Sequence, residues 1–225
     1  MRLGLSLLAL LLAGAAGPAG GLAAQAAGLP VRNAGIGTGV GLAGDVGFPS
    51  AAGGKGIAIG ATGMIGLGPL GASATLAHWT PKDQDGINSV AATANLKIIG
   101  GPLIPLSVTL QAGAGYGKST QQGFEAPVTT KTVHVPVGLG IALTIPNPVF
   151  SIKPWVAPRL DLQRVTIESD TPAETHTDTH FGISGGVDFG FLNGMTIRAM
   201  YDRLQAGNGA HPSILSVGLG FRVGT

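Results

Sequence analysis

The chain has 225 residues, no cysteine, 39 glycines, and 13 basic against 11 acidic residues for a formal charge of +2. Charged residues make up 11% of it, well under the about 25% of an average soluble domain and too few to clothe one of this size. The small net charge argues against a nucleic-acid partner, and without cysteine there is neither a disulfide framework nor a thiol for lipid attachment.

The amino terminus carries Arg2, an apolar run from Leu3 to Ala13 interrupted by Gly4 and Ser6, helix-breaking Gly17 and Pro18, and the small-residue site Ala24, Gln25, Ala26. That order reads as an export signal over residues 1–26, cut after about Ala26, with 27–225 as the mature domain. A helical anchor is the alternative, and the shortness of the run counts against it. No later stretch approaches the ~18 to 20 consecutive apolar residues of a spanning helix. An apolar chain without such helices enters a bilayer only as a closed sheet, because hydrocarbon offers no partner to a free strand edge.

Period-two alternation marks ten strands. The first, about Gly35 to Leu42, sets Ile36, Thr38, Val40 and Leu42 against four glycines. The second, about Lys55 to Leu67, puts Ile57, Ile59, Ala61, Ile65 and Leu67 on one face, and Gly68 to Gly71 makes a tight turn. The third, Ala72 to Thr80, alternates weakly. Ser89 to Ile99 and Leu106 to Gly117 alternate cleanly. The sixth is the longest such run: from Val133 to Ile145 every odd position is aliphatic, and the even ones are His, Pro, Gly, Ala and Thr. At ~3.3 Å per residue it is long enough, when tilted, to cross the apolar band of an outer membrane, about twice an ordinary soluble strand. After the turn Pro146, Asn147, Pro148 a seventh strand climbs from Trp155 to Gln163, followed by Phe181 to Phe191, Met195 to Leu204 and Ser213 to Val223.

The connections alternate in length: those near 45–54, 81–88, 118–130, 166–179 and 205–212 are long, and those at 68–71, 100–105, 146–149 and 192–194 are short. On this pattern the span from Gly35 to Val223 resembles the small outer-membrane β-barrel family of eight to ten strands. The resemblance implies an all-β fold, a closed antiparallel up-and-down transmembrane barrel of ten strands, with eight strands plus an irregular hairpin as the alternative. It also implies long loops outside, short turns on the periplasmic side, and aromatic girdles of Tyr116, Phe181 and Tyr201 above and Phe150, Phe191 and Phe221 below. Three features depart from the family pattern. The chain ends Arg222, Val223, Gly224, Thr225 rather than on an aromatic residue; Pro136, Pro154 and Pro158 fall inside strands and call for bulges or shorter strands; and the glycine-dense first hairpin specifies register poorly.

On strands seven to ten the inward face gains Arg159, Asp161, Asp188, Arg198, Asp202 and Arg222. A two-residue loop at Asn193 and Gly194 would turn Arg198 and Asp202 into lipid at about 2 to 4 kcal/mol each. A three-residue loop, Leu192 to Gly194 with Gly194 left-handed, keeps them inside and sets Asp188 opposite Arg198, which predicts a lumenal ion pair. These charges serve either as a solute-selecting constriction or as a brace for glycine-rich walls. His176, Asp178 and His180 share one side of an extended segment near Glu168, Asp170 and Glu174. They form a weak metal candidate without a specified fourth ligand, the alternative being a solvated acidic loop. His134 points inward, where Ser107 or Ser184 would be its partner in a hydrolytic site, but no serine elbow, paired-carboxylate motif or phosphate loop occurs.

The expected role is therefore non-enzymatic, without a cofactor: an integral barrel that is structural or passes small solutes through a narrow polar lumen, with outer-membrane lipids as partners. Alternatives are a surface-loop recognition or adhesion barrel, a barrel hydrolase or acyltransferase acting on lipid or peptide, and a soluble secreted β protein. The sequence leaves the oligomeric state open.

Overall fold

The computed structural model describes residues 26–82, 85–101, 104–121, 127–169, 172–205 and 211–224. All but the last residue of the expected export signal lie outside these, as do Asp170 and the middle of the 118–130 connection. The strands are β1 (Gly39–Pro49), β2 (Ile57–Leu67), β3 (Leu70–Thr80), β4 (Ile87–Gly101), β5 (Ile104–Gln121), β6 (Val128–Leu143), the two-residue β7 (Ile145–Pro146), β8 (Phe150–Glu168), β9 (Glu174–Phe191), β10 (Met195–Gln205) and β11 (Ser213–Val223). Each long strand pairs antiparallel with its neighbours in sequence, β1 pairs with β11, and β6 pairs past β7 with β8. The sheet is a closed ring of ten long strands, ten and not eight, so no edge remains along the barrel wall.

Facing follows the alternation. Val137, Leu139, Ile141 and Leu143 are 46%, 43%, 42% and 41% exposed on the outer wall, while Ala142 between the last two is 2% exposed inside. The weakly patterned third strand resolves the same way, with Leu76 and His78 outside and Ala77 and Trp79 buried within. Aromatics at both ends of the wall, Tyr116, Phe181 and Tyr201 and then Phe191 and Phe221, face outward.

Turn chemistry sets the register. Gly68 and Pro69 form a two-residue loop between the paired Leu67 and Leu70, and Gly68 takes the positive φ of 60° that the first loop position needs. Leu192 to Gly194 is the three-residue loop: Gly194 has φ 85°, its N–H donates to the Phe191 carbonyl, and Arg198 stands opposite Asp188 with both inside. The prolines are accommodated differently from expectation. Ala112 pairs with Val137 and Gly115 with His134, so no residue is inserted around Pro136; two rungs of the ladder are skipped instead. Pro158 likewise sits in a two-rung gap between Gly138↔Arg159 and Ile141↔Val156. A missing N–H removes one bond without displacing the chain. The register shifts fall elsewhere, between Lys97 and Gly101 of β4.

Strand boundaries are corrected at several places: β1 runs on to Pro49, through part of the expected 45–54 connection, and β5 and β6 take up the two ends of the 118–130 one. The 166–179 segment is not all loop: β8 runs to Glu168 and β9 starts at Glu174, joined by a rung from Thr166 to Thr175, so β5, β6, β8 and β9 project beyond the shorter strands. Threonine favours extended backbone, but polar residues on both faces hide the period. A further correction is at the start. Residues 26–38 precede β1 and run through the inside of the barrel; Ile36, expected on the lipid face, is buried within it.

Candidate functional site

The barrel interior is the one place where side chains from every strand converge, and its own amino-terminal segment occupies it. Ala27 N–H donates to Ser89 Oγ at the long-loop end, Val31 N–H to Asp202 Oδ2 near mid-height, and further down Gln111 Nε2 donates to the Arg32 carbonyl. Lys153 Nζ then donates to the Ala34 carbonyl, after which the chain enters β1 at the short-turn end. Apolar residues of the segment fill three small clusters: Ala26, Ala27 and Leu29 with Trp79, Val31 with Leu204, and Ala34 with Trp155 and Met200. Glycine makes the room. A methyl group on Gly47 would overlap the Gly28 carbonyl, on Gly66 the Gly37 carbonyl, and on Gly140 the Asn33 carbonyl. A cavity of about 40 Å³ remains between the segment and the walls of β1–β5 and β10, lined by Arg32, Asp45, Thr62, Thr93, Gln111 and Arg198. That is space for about three waters.

Each of the six expected charges faces inward. Arg159, Asp161, Asp188, Arg198 and Asp202 are buried and Arg222 is half-buried near the short-turn end. The expected pairing of Asp188 with Arg198 is corrected, although their register and facing hold. Arg198 reaches past its neighbour to Asp45 on β1, its Nε 2.6 Å from Oδ1, and Asp188 is taken by Arg32 of the inner segment. The reason lies in Gly218, the β11 residue between Arg198 and Asp45. Lacking a side chain, it lets the guanidinium span two strand spacings of ~4.8 Å; a Cβ there would strike the Asp45 carboxylate. The same device recurs where Arg159 on β8 crosses Gly182 of β9 to reach Asp202 on β10 at 2.9 Å, with Asp161 Oδ2 3.6 Å from its Nε. Counting Arg32, Lys153, Arg159, Arg198 and Arg222 against Asp45, Asp161, Asp188 and Asp202 gives five bases and four acids, so this group is nearly neutral.

Lys153, Asp45 and Arg32 were absent from the sequence-derived cluster. Lys153 shares the parity of Arg159 and Asp161 along β8, and Asp45 that of Gly41 and Gly47 along β1, so strict alternation would have found both. Nothing local marks Arg32.

His134 lies 3.5 Å from Asp161 through Nδ1, but neither ring nitrogen makes a hydrogen bond. Ser107 and Ser184 donate to the carbonyls of Ala142 and Ala157, so the geometry does not join either hydroxyl to that imidazole. His176, Asp178 and His180 follow one another at alternate positions of β9, mostly exposed. Among the described residues no three His, Asp or Glu side chains converge as metal ligands.

A closed antiparallel wall, aliphatic outside over ten strands and polar inside, has only hydrocarbon as a matching surround. The chain has the fold of a small outer-membrane β-barrel. No protein family and no curated protein matches it by sequence. Among solved structures, the transport unit of the autotransporter AIDA-I from Escherichia coli is similar at 11% identity and a TM-score of 0.49, over 94% of this chain and 97% of that one. The outer-membrane protease OmpT from Escherichia coli matches at 9% identity and 0.45, over 83% and 94%. The attachment invasion locus protein Ail of Yersinia pestis matches at 10% and 0.41, over 83% and 99%. The likeness to these outer-membrane barrels is one of architecture, and none of their activities is carried to this one.

Proposed function

We propose that this outer-membrane barrel is a structural, non-catalytic envelope protein whose lumen is sealed by its own residues 27–38. The supporting observation is the path of that segment, bonded to Ser89, Asp202, Gln111 and Lys153 from one mouth to the other. On this reading passive passage of small solutes requires the segment to leave its path between the two mouths. Planar-bilayer recording tests this. Wild-type protein gives no resolvable current steps, whereas a variant lacking residues 29–36 gives steady ones, with both showing heat-dependent gel mobility. Equal conductance from the two proteins would remove the seal.

A second reading, surface recognition, is favoured by the projecting strands. β9 and β8 continue together beyond the Gln205↔Phe181 rung, and Glu174 to His180 carry polar, mostly exposed side chains there. A projecting polar hairpin of this kind offers side chains to a partner above the membrane. Cell attachment lost on Thr177→Pro, with barrel mobility unchanged, is the result this reading requires; unchanged attachment sinks it.

A further inference from the structure

Across β2 to β6 the outward residues line up in rows. The highest that crosses all five strands joins Ile59, His78, Asn88, Lys118 and Lys131 through successive cross-strand pairs. Beneath it the next row is Ala61, Leu76, Val90, Tyr116 and Val133. Together the two rows border an open trough of about 630 Å³ on the outer wall, between Ile59 and Tyr116 and capped by His78, Asn88 and Lys118. Below Leu76 and Val90 the outward side chains shrink to Ala74, Ala92, Ala114, Ala72, Ala94 and Ala112, before a row of leucines at the short-turn end, so the recess continues toward mid-membrane.

The cap is electrostatically incomplete. Lys118 and Lys131 are directly paired and both face outward, an arrangement of like charges that is unfavourable by itself. Glu168 satisfies Lys131 at 2.6 Å, but Lys118 has no carboxylate partner among the described residues. His78 Nδ1–H donates to Asn88 Oδ1 at 2.8 Å, which leaves the amide N–H groups of Asn88 at the position paired directly with Lys118. A cationic cap over an apolar trough matches a ligand with an anionic head and hydrocarbon tails.

We propose that this wall binds a phosphorylated acyl lipid of the outer leaflet, its phosphate at Lys118 and the Asn88 amide and an acyl chain in the trough between Leu76 and Tyr116. The inference rests on the membrane-embedded reading and goes beyond the sealed lumen. Phosphate is the expected anion because an ammonium and a carboxamide N–H on directly paired residues, Lys118 and Asn88, supply donors to one oxygen-rich centre. Amphiphile rather than free anion is expected because the donors stand above apolar side chains exposed to hydrocarbon.

The test is native mass spectrometry of the refolded full-length mature chain in detergent, titrated with bisphosphorylated lipid A, its dephosphorylated form, and inorganic phosphate. Wild type retains one bisphosphorylated lipid, binds the dephosphorylated form about tenfold more weakly, and is not competed by equimolar inorganic phosphate. Lys118→Gln with Asn88→Ala weakens retention by about tenfold, and Ala61→Trp, which fills the trough without touching charge, weakens it as well. Arg203→Gln, on the outer wall of β10, leaves it unchanged. Wild-type retention by the trough and cap variants, equal loss with Arg203→Gln, equal binding of the dephosphorylated lipid, or displacement by inorganic phosphate would each overturn the site. Heat-dependent gel mobility, measured on the same samples, reports separately whether the barrel itself has folded.

Discussion

The two sides of the barrel solve the same problem with opposite means. On β2 to β5 the inward residues are mainly glycine, alanine, serine and threonine, with Asn95, Gln111 and a single charge, Lys97; hydroxyls meet one another, as in Thr62 with Thr75 at 2.9 Å and Ser73 with Thr93 at 2.6 Å. On β8 to β11 and β1 the inward face adds charged residues, and two of their pairs, Arg198 with Asp45 and Arg159 with Asp202, cross an intervening glycine. The outer walls differ in parallel: rows of alanine on the first side, and Phe181, Ile183, Phe189, Ile197, Leu219 and Phe221 on the second. The inner segment joins the two sides, with its apolar residues against Trp79 and Trp155 and its one charge, Arg32, at Asp188. Small neutral residues let a wall approach the segment closely, whereas ion pairs tie strands that glycine leaves without side-chain contacts.

This contrast can be broken by substitution. The largest effect is expected for Asp45→Ala, which leaves Arg198 buried without its carboxylate. Removing one partner of a buried pair costs about 3 to 5 kcal/mol, read as a lower urea midpoint for the folded protein in micelles, and Arg198→Met in the same chain should restore most of it. On the neutral side Thr75→Val removes one hydroxyl contact and should cost only about 1 kcal/mol. A Thr75→Val loss as large as that of Asp45→Ala would show that the two sides do not differ in how they are held.

Much of this was legible in the chain. Thirteen residues from Val133 to Ile145 declare an outward greasy face because a side chain on a strand has only two directions to choose from. Gly194 declares its loop because only one loop length keeps Arg198 and Asp202 out of hydrocarbon. The beginning was misread for the same reason that the rest succeeded. Ile36, Thr38, Val40 and Leu42 alternate with glycine without a break, yet the chain passes from lumen to wall at Gly39, and periodicity carries no mark of that crossing.

Local pattern therefore determined the wall: which residues meet lipid, where the chain turns, and how many strands close the ring, all of which depend on neighbours two residues away or one strand across. Only the tertiary structure decided what the wall encloses. Arg32 finds Asp188 and Val31 finds Asp202 across 156 and 171 residues of chain, and Arg198 prefers Asp45 to the carboxylate beside it because a glycine clears the way. Such partners are set by closure of the barrel, which brings β1 beside β11 and the inner segment against all of them.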